Sequence, residues 1–158
     1  MLAPLLAALA LAGPPADLNA LFAGTLPDVK AKTSIPILLP DAMPSDYDAL
    51  YPSGVGRRRE YSIGLAAAPD CGGANACFVA DFSARKGGQP FGRGKVTLAR
   101  GRHGRFQPLS CGGSCSPPSI SWKQGGVTYS FQANVGTKKT ERRILVKMAN
   151  EAITHGAR

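Results

Sequence analysis

The sequence predicts an α+β fold: an antiparallel meander of about six strands, one face covered by a C-terminal helix and an N-terminal one. Three observations carry that expectation. Apolar residues recur at period two from Tyr61 to Phe131, a helical period takes over after residue 140, and short stretches of Gly, Pro, Asp and Ser separate the runs. Strict alternation places apolar side chains on one face and polar ones on the other, as in an antiparallel sheet with one wetted face.

The elements follow in order. Residues 1–16, MLAPLLAALALAGPPA, carry no charge and are mostly Leu and Ala. The run is shorter than the ~20 residues of a membrane-spanning helix. Ala10 and Ala12 stand at the −3 and −1 positions of a signal-peptidase site. The run therefore reads as an export signal cut after Ala12 or Ala16, although it lacks a basic leader, and 17–158 reads as a single α+β domain. No cysteine follows the run, so a lipid anchor is not expected.

Asp17 is placed to cap a helix through Leu18, Leu21 and Phe22 that ends before Pro27. In SIPILLPDAMP, residues 34–44, three prolines forbid a central strand and predict an extended edge segment. The stretch 45–56, dense in Asp, Ser, Pro and Gly, predicts loop.

Then the period-two runs begin. Tyr61, Ile63 and Leu65 alternate with Glu60, Ser62 and Gly64, and Phe78, Ala80 and Phe82 alternate with Asp81 and Ser83. Val96 and Leu98 mark a third strand, and Phe106 a shorter fourth after a turn at 101–104. Ile120 and Trp122 lead through Gly125-Gly126, a hairpin signal, into Val127, Tyr129 and Phe131. TERRILVKMANEAI, residues 140–153, opens on Thr140 as a cap and aligns Leu145, Met148, Ala149 and Ala152 in one stripe. That stripe is expected to pack on the sheet.

If consecutive strands run alternately up and down, the 71–77 and 110–117 loops fall at opposite ends of the sheet. Cysteines bridge only when their Cα atoms lie within about 7 Å. The four cysteines should therefore pair locally, Cys71 with Cys77 and Cys111 with Cys115, as structural disulfides of an oxidising compartment. A four-cysteine zinc site is disfavoured by the same separation and by spacings unlike the C-x2-C knuckle. A redox pair would need an activating environment, and no thioredoxin-like βαβ pattern surrounds either pair.

Charge is unevenly spread. Residues 1–56 hold two basic and five acidic groups, whereas 57–158 hold seventeen basic and five acidic ones, within a net charge of +9. The meander geometry gathers Arg57, Arg58, Arg59, Arg85, Lys86, Arg93, Lys138, Lys139, Arg142 and Arg143 at one end, beside the Cys111–Cys115 loop. A basic edge of that kind favours anionic partners.

Motifs of catalysis are lacking. GGQPFGRGKV departs from a phosphate-binding loop because Gln89 stands where the first Gly belongs and Val96 follows Lys95. There is no G-x-S-x-G, and His103 and His155 have no sequence partner suggesting a triad or metal site. Asp70 and Asp81 fall on a turn and on the polar strand face. No catalytic residue, cofactor or metal is assigned.

The segments SIPILLP, CGGANACFVADF, CGGSCSPPSISWKQGGVTYSF and LVKMANEAI resemble small exported bacterial envelope proteins of unknown function. The resemblance implies a secreted or periplasmic location and a compact α+β domain, and carries over no site residue. The first functional expectation is an exported non-catalytic domain that binds an anionic envelope polymer or lipid headgroups through the basic edge. Nucleic acid is not an expected target, since export removes it and no stacking motif is present. A second expectation is a carrier of an apolar ligand, with Trp122, Tyr129, Phe131 and Met148 lining a cavity between helix and sheet. A third, a hydrolase, requires a cleft joining His103 to a carboxylate. Intact-mass analysis of the exported protein without reduction should give a chain starting at Gly13 or Asp17. Its mass should be four hydrogen atoms short of the thiol form.

Overall fold

The computed structural model describes residues 14–158, so residues 1–13 of the apolar run and the cut after Ala12 lie outside the described residues. The chain opens with a short strand β1 (Ala16–Asp17) and helix α1 (Leu18–Phe22), and Asp17 Oδ1 accepts from the Ala20 N–H at 3.1 Å as a cap. Pro27 does not end that helix. It stands in the first turn of a second, α2 (Leu26–Lys32), where its missing N–H has no partner to lose. Ala42–Met43 (β2) pairs with β1.

The main sheet has seven antiparallel strands. β3 (Tyr51–Arg57), β4 (Glu60–Ala66) and β5 (Phe78–Lys86) come first, then β6 (Gly94–Leu98) and β7 (Arg102–Gln107). The two-residue pair β8 (Ser110–Cys111) and β9 (Cys115–Ser116) precedes β10 (Ser119–Gln124) and β11 (Val127–Ala133), and α3 (Glu141–His155) closes the chain. β3 replaces the loop expected over 45–56. Its inner residues are Gly54 and Gly56, where a Cβ would come within 2.5 Å of Thr25 and 2.4 Å of the Val29 carbonyl, so α2 lies directly on the strand backbone. Glycines that admit a close helix gave no period-two signal to read.

The order across the sheet is β3-β4-β5-β11-β10-β7-β6, not that of a meander. β11 inserts beside β5, and β6 becomes the far edge, running in the same direction as β5 with three strands between them. Four strand spacings are about 19 Å, and the seven residues 87–93 reach at most about 25 Å. The link must therefore cross the sheet directly. It does so on the polar face. Thr128 donates to the Gly87 carbonyl (2.7 Å), Lys123 to the Gly88 carbonyl (3.2 Å), and Ser121 Oγ both accepts from the Phe91 N–H and donates to its carbonyl (2.8 Å each). At Gly92, with φ of 123°, a Cβ would meet the Phe106 backbone at 2.8 Å. This strap buries Ser121 completely.

The other face holds the core. Ile63, Phe82, Phe131, Ile120 and Phe106 are register partners across five strands. Trp122 stacks on Tyr129 at 5.5 Å and meets Phe131 edge-on at 4.9 Å, while Phe82 joins Phe131 to Phe22 of α1. Aromatic contacts of this geometry add about 0.5–1.5 kcal/mol each to simple burial. Leu145, Met148, Ala149, Ala152 and Ile153 of α3 are buried in the same cluster, as the stripe predicts.

SIPILLP is extended, as expected, but it is buried in this layer and not at a sheet edge: Ile35, Ile37, Leu38 and Leu39 are all under 4% exposed. Four of its backbone groups are met by side chains and by Arg158. The Leu38 N–H donates to Tyr61 Oη (3.1 Å), Tyr129 Oη donates to the Pro36 carbonyl (3.0 Å), and the Arg158 N–H donates to the Ile37 carbonyl (2.9 Å). Burial raises both phenols, Tyr129 to about 12, so both stay protonated at physiological pH.

Replacing Ser121 by Ala removes the two hydrogen bonds to Phe91, leaves those from Thr128 and Lys123 to the strap, and does not disturb the core face. Urea unfolding should show a loss of about 1–3 kcal/mol, and limited proteolysis should find faster cleavage within 87–93 than in the wild type.

Candidate functional site

With the core face filled, the surface left for chemistry is the polar face and the strand ends. Register partners Ser62, Ser83, Ser130 and Ser121 form a row of hydroxyls across β4, β5, β11 and β10, and Arg105 and Lys95 continue it to the far edge. The strap divides this row. On its β3 side lies an open groove of about 500 Å³, floored by Ser62, Ser83, Ser130 and Thr128 and walled by Val55 and by Gln89 and Phe91 of the strap. Phe91 is 51% exposed there. Ser62 donates to Asp81 Oδ1, while the Ser83 and Ser130 hydroxyls make no hydrogen bond to protein among the described residues. Arg57 and Arg85 stand at one end of the groove. Arg57 pairs with Glu60 at 2.8 Å, and Arg85 forms no ion pair among the described residues.

The single basic edge does not form. Arg57, Arg58, Arg59, Arg85 and Lys86 do assemble: Glu60 faces Arg85 across the β4–β5 ladder, and the Lys86 N–H donates to the Arg59 carbonyl at 2.9 Å. All five are exposed. The strap, however, starts β6 at the opposite end of the sheet and takes Arg93 there. β11 runs away from the Arg57–Arg59 turn, so Lys138, Lys139, Arg142 and Arg143 also emerge at that opposite end. Arg142 there donates to the Lys95 carbonyl (2.8 Å) and lies over the Phe106 ring.

The disulfides join Cys71 to Cys77 and Cys111 to Cys115, the expected local pairs. Both staples nevertheless lie at the same end of the sheet, the end away from the Arg57–Arg59 turn. The first joins the exits of β4 and β5, and the second lies between the end of β7 and the start of β10. The expected neighbourhood of Cys111–Cys115 and the Arg57–Arg59 cluster is thus corrected.

Trp122 packs on Tyr129 and Phe131, Met148 is buried in the same core cluster, and none of the four lines the groove, the hollow around His103 or the hollow beside α3. The hollow around His103 is lined by Gln89, Pro90, Lys95, Thr97 and Arg105 among others, with no carboxylate. His155, by contrast, has the partners its sequence surroundings lack. Asp41 Oδ1 accepts from Arg158 Nη2 (2.7 Å) and Asn19 Nδ2 (3.3 Å) and lies 3.1 Å from His155 Nδ1, and Arg158 Nη1 lies 2.9 Å from His155 Nε2. A guanidinium only donates, so Nε2 accepts and Nδ1 carries the proton. A general base would need Nε2 free for substrate; here it is engaged by Arg158, and the cluster acts as a latch that holds the C-terminal residues on Leu39 and Asp41.

Among the described residues no three His, Cys, Asp or Glu side chains converge as a metal site requires, and no helix is long and apolar enough to cross a membrane. Comparison with protein-family models, curated proteins and solved structures finds no match to this chain. The groove escapes sequence reasoning because alternation assigns the serines to a polar face, but only strand order places them in one row.

Hydrogen bonding from Arg158, then Asn19, holds Asp41 below its ordinary value of 3.8. A lowered carboxylate contributes stability that is fully present above the unfolded value and is lost as pH falls through the native one. Asp41→Asn should therefore be less stable than wild type at every pH above about 4. Thermal melts should show that gap narrowing as pH falls further and the carboxylate takes up its proton.

Proposed function

We propose that this chain is an exported, non-catalytic binding domain of the bacterial envelope that takes an anionic envelope component at the corner formed by Arg57, Arg58, Arg59, Arg85 and Lys86. One observation carries the reading. Five exposed cations meet on adjacent strand ends, and Glu60, the carboxylate at that corner, is already paired to Arg57, while Asp81 stands further along the groove. Uncompensated charge of this density attracts polyanions over a Debye length and costs little to maintain on a surface. Two disulfides suit the oxidising compartment that export implies. The resemblance to exported bacterial envelope proteins points the same way.

The test is binding of the mature protein to anionic cell-wall polymer and, separately, to phosphatidylglycerol vesicles. Affinity should fall steeply between about 0.1 M and 1 M salt, as the screening length drops from about 10 Å to about 3 Å. The triple variant Arg58→Ala, Arg59→Ala, Lys86→Ala should bind about tenfold more weakly, while Lys138→Ala, Lys139→Ala at the other end should bind like wild type. Salt-insensitive binding, or equal losses from the two variants, would reject the corner as the site.

A further inference from the structure

Resting on that reading and narrowing it, we propose that the groove beside the basic corner binds an acidic oligosaccharide, a chain of sugar units carrying carboxylate or phosphate groups. Three features of the groove meet in that chemistry. A sugar ring presents an apolar face of C–H groups, and Phe91, half-exposed on the groove wall, offers an aromatic surface for it.

The ring's rim is a set of hydroxyls that both donate and accept. Ser83 and Ser130, unpartnered on the floor, do both, and Asp81 still has an oxygen that Ser62 does not use. The acidic substituent finds Arg85, which forms no ion pair among the described residues, at the end that opens onto Arg57 and the cationic corner. The two open hydroxyls are cross-strand partners and so stand one strand spacing, about 4.8 Å, apart.

Peptide polyanions and lipid headgroups fit less well. A polyglutamate chain offers carboxylates and amides but no hydroxyl rim, and a phosphatidylglycerol headgroup offers one phosphate and a short glycerol but no ring face to lie on Phe91. The occupant to which the surface commits is therefore the glycan.

The experiment is calorimetric titration of the mature protein with a six-unit polygalacturonate oligomer. Neutral maltohexaose, polyglutamate of equal charge and phosphatidylglycerol vesicles serve as comparators. The uronate oligomer should bind more tightly than every comparator. Phe91→Ala should weaken uronate binding about three- to tenfold, and Ser83→Val with Ser130→Val about tenfold, with polyglutamate binding unchanged in both. Phe91→Tyr should restore the uronate affinity, which separates ring stacking from a change in the strap, and melting curves report whether each variant is folded.

Uronate and polyglutamate binding equally, with no effect of the groove variants, overturns the glycan site and leaves the anionic corner standing. Tightest binding to vesicles overturns the glycan in favour of a lipid source. Absence of binding to every anion overturns both readings together.

Discussion

The connection between β5 and β6 is the constraint on which the rest of the structure depends. Two strands that run the same way with three others between them cannot be joined by a turn, and seven residues cannot go around the sheet. The helical face is occupied by α2, the 35–39 segment and α3, so the polar face is the only route. Crossing it has consequences. Ser121, on the polar side of β10, becomes fully buried and uses both its donor and its acceptor on Phe91; Gly92 passes close over the Phe106 backbone; and the face is cut into a groove and a separate hollow around His103.

The opposite face solves a different problem. An apolar extended segment buried away from any strand ladder leaves backbone groups that must find partners, because each unpaired buried group costs about 1–3 kcal/mol. Tyr61 and Tyr129 project from the sheet into the core and supply two hydroxyls, and Arg158 meets the Ile37 and Leu39 carbonyls from the C-terminal residues. Their high pKa values and their positions share one origin, burial beside a carbonyl or an N–H that needs them. The latch of Asp41, His155 and Arg158 ties the last residues to the segment that follows the N-terminal helices, so both ends of the described chain are fastened to one layer.

Electrostatics and topology together decide where a partner can be met. Ten cations gathered at one end would make a general polyanion surface. Divided between two ends, only Arg57, Arg58, Arg59, Arg85 and Lys86 remain close to a groove with unengaged hydroxyls. At the other end Arg142 is committed to the Lys95 carbonyl and the Phe106 ring, and contributes to closing the β6 edge. An uncovered sheet edge is a site for unwanted pairing, and covering this one draws on a cation that the sequence would assign to binding.

Several features were legible from the residues alone because their causes are local. Period two placed six of the seven long strands and chose their buried faces, and period 3.6 placed α3; the cysteines pair locally as expected, although the two staples share one end of the sheet and not the opposite ends from which that pairing was argued. Pro27 was misread because a proline both ends and begins helices, and the residues after it, not before it, decide which. β3 was missed because Gly54 and Gly56 earn their place by contact with α2, which no window of sequence contains. Strand order lay beyond the sequence for the same kind of reason. Whether β5 pairs with β6 or with β11 is settled by how Phe82, Phe131 and Trp122 pack together across residues far apart in the chain. From that pairing follow the strap, the groove, the shared end of the two disulfides and the division of the basic residues. The sequence by itself determined which side chains face the core and which face water; the tertiary structure alone decided which of the outward-facing ones are neighbours, because neighbours on a sheet are set by long-range packing and not by spacing along the chain.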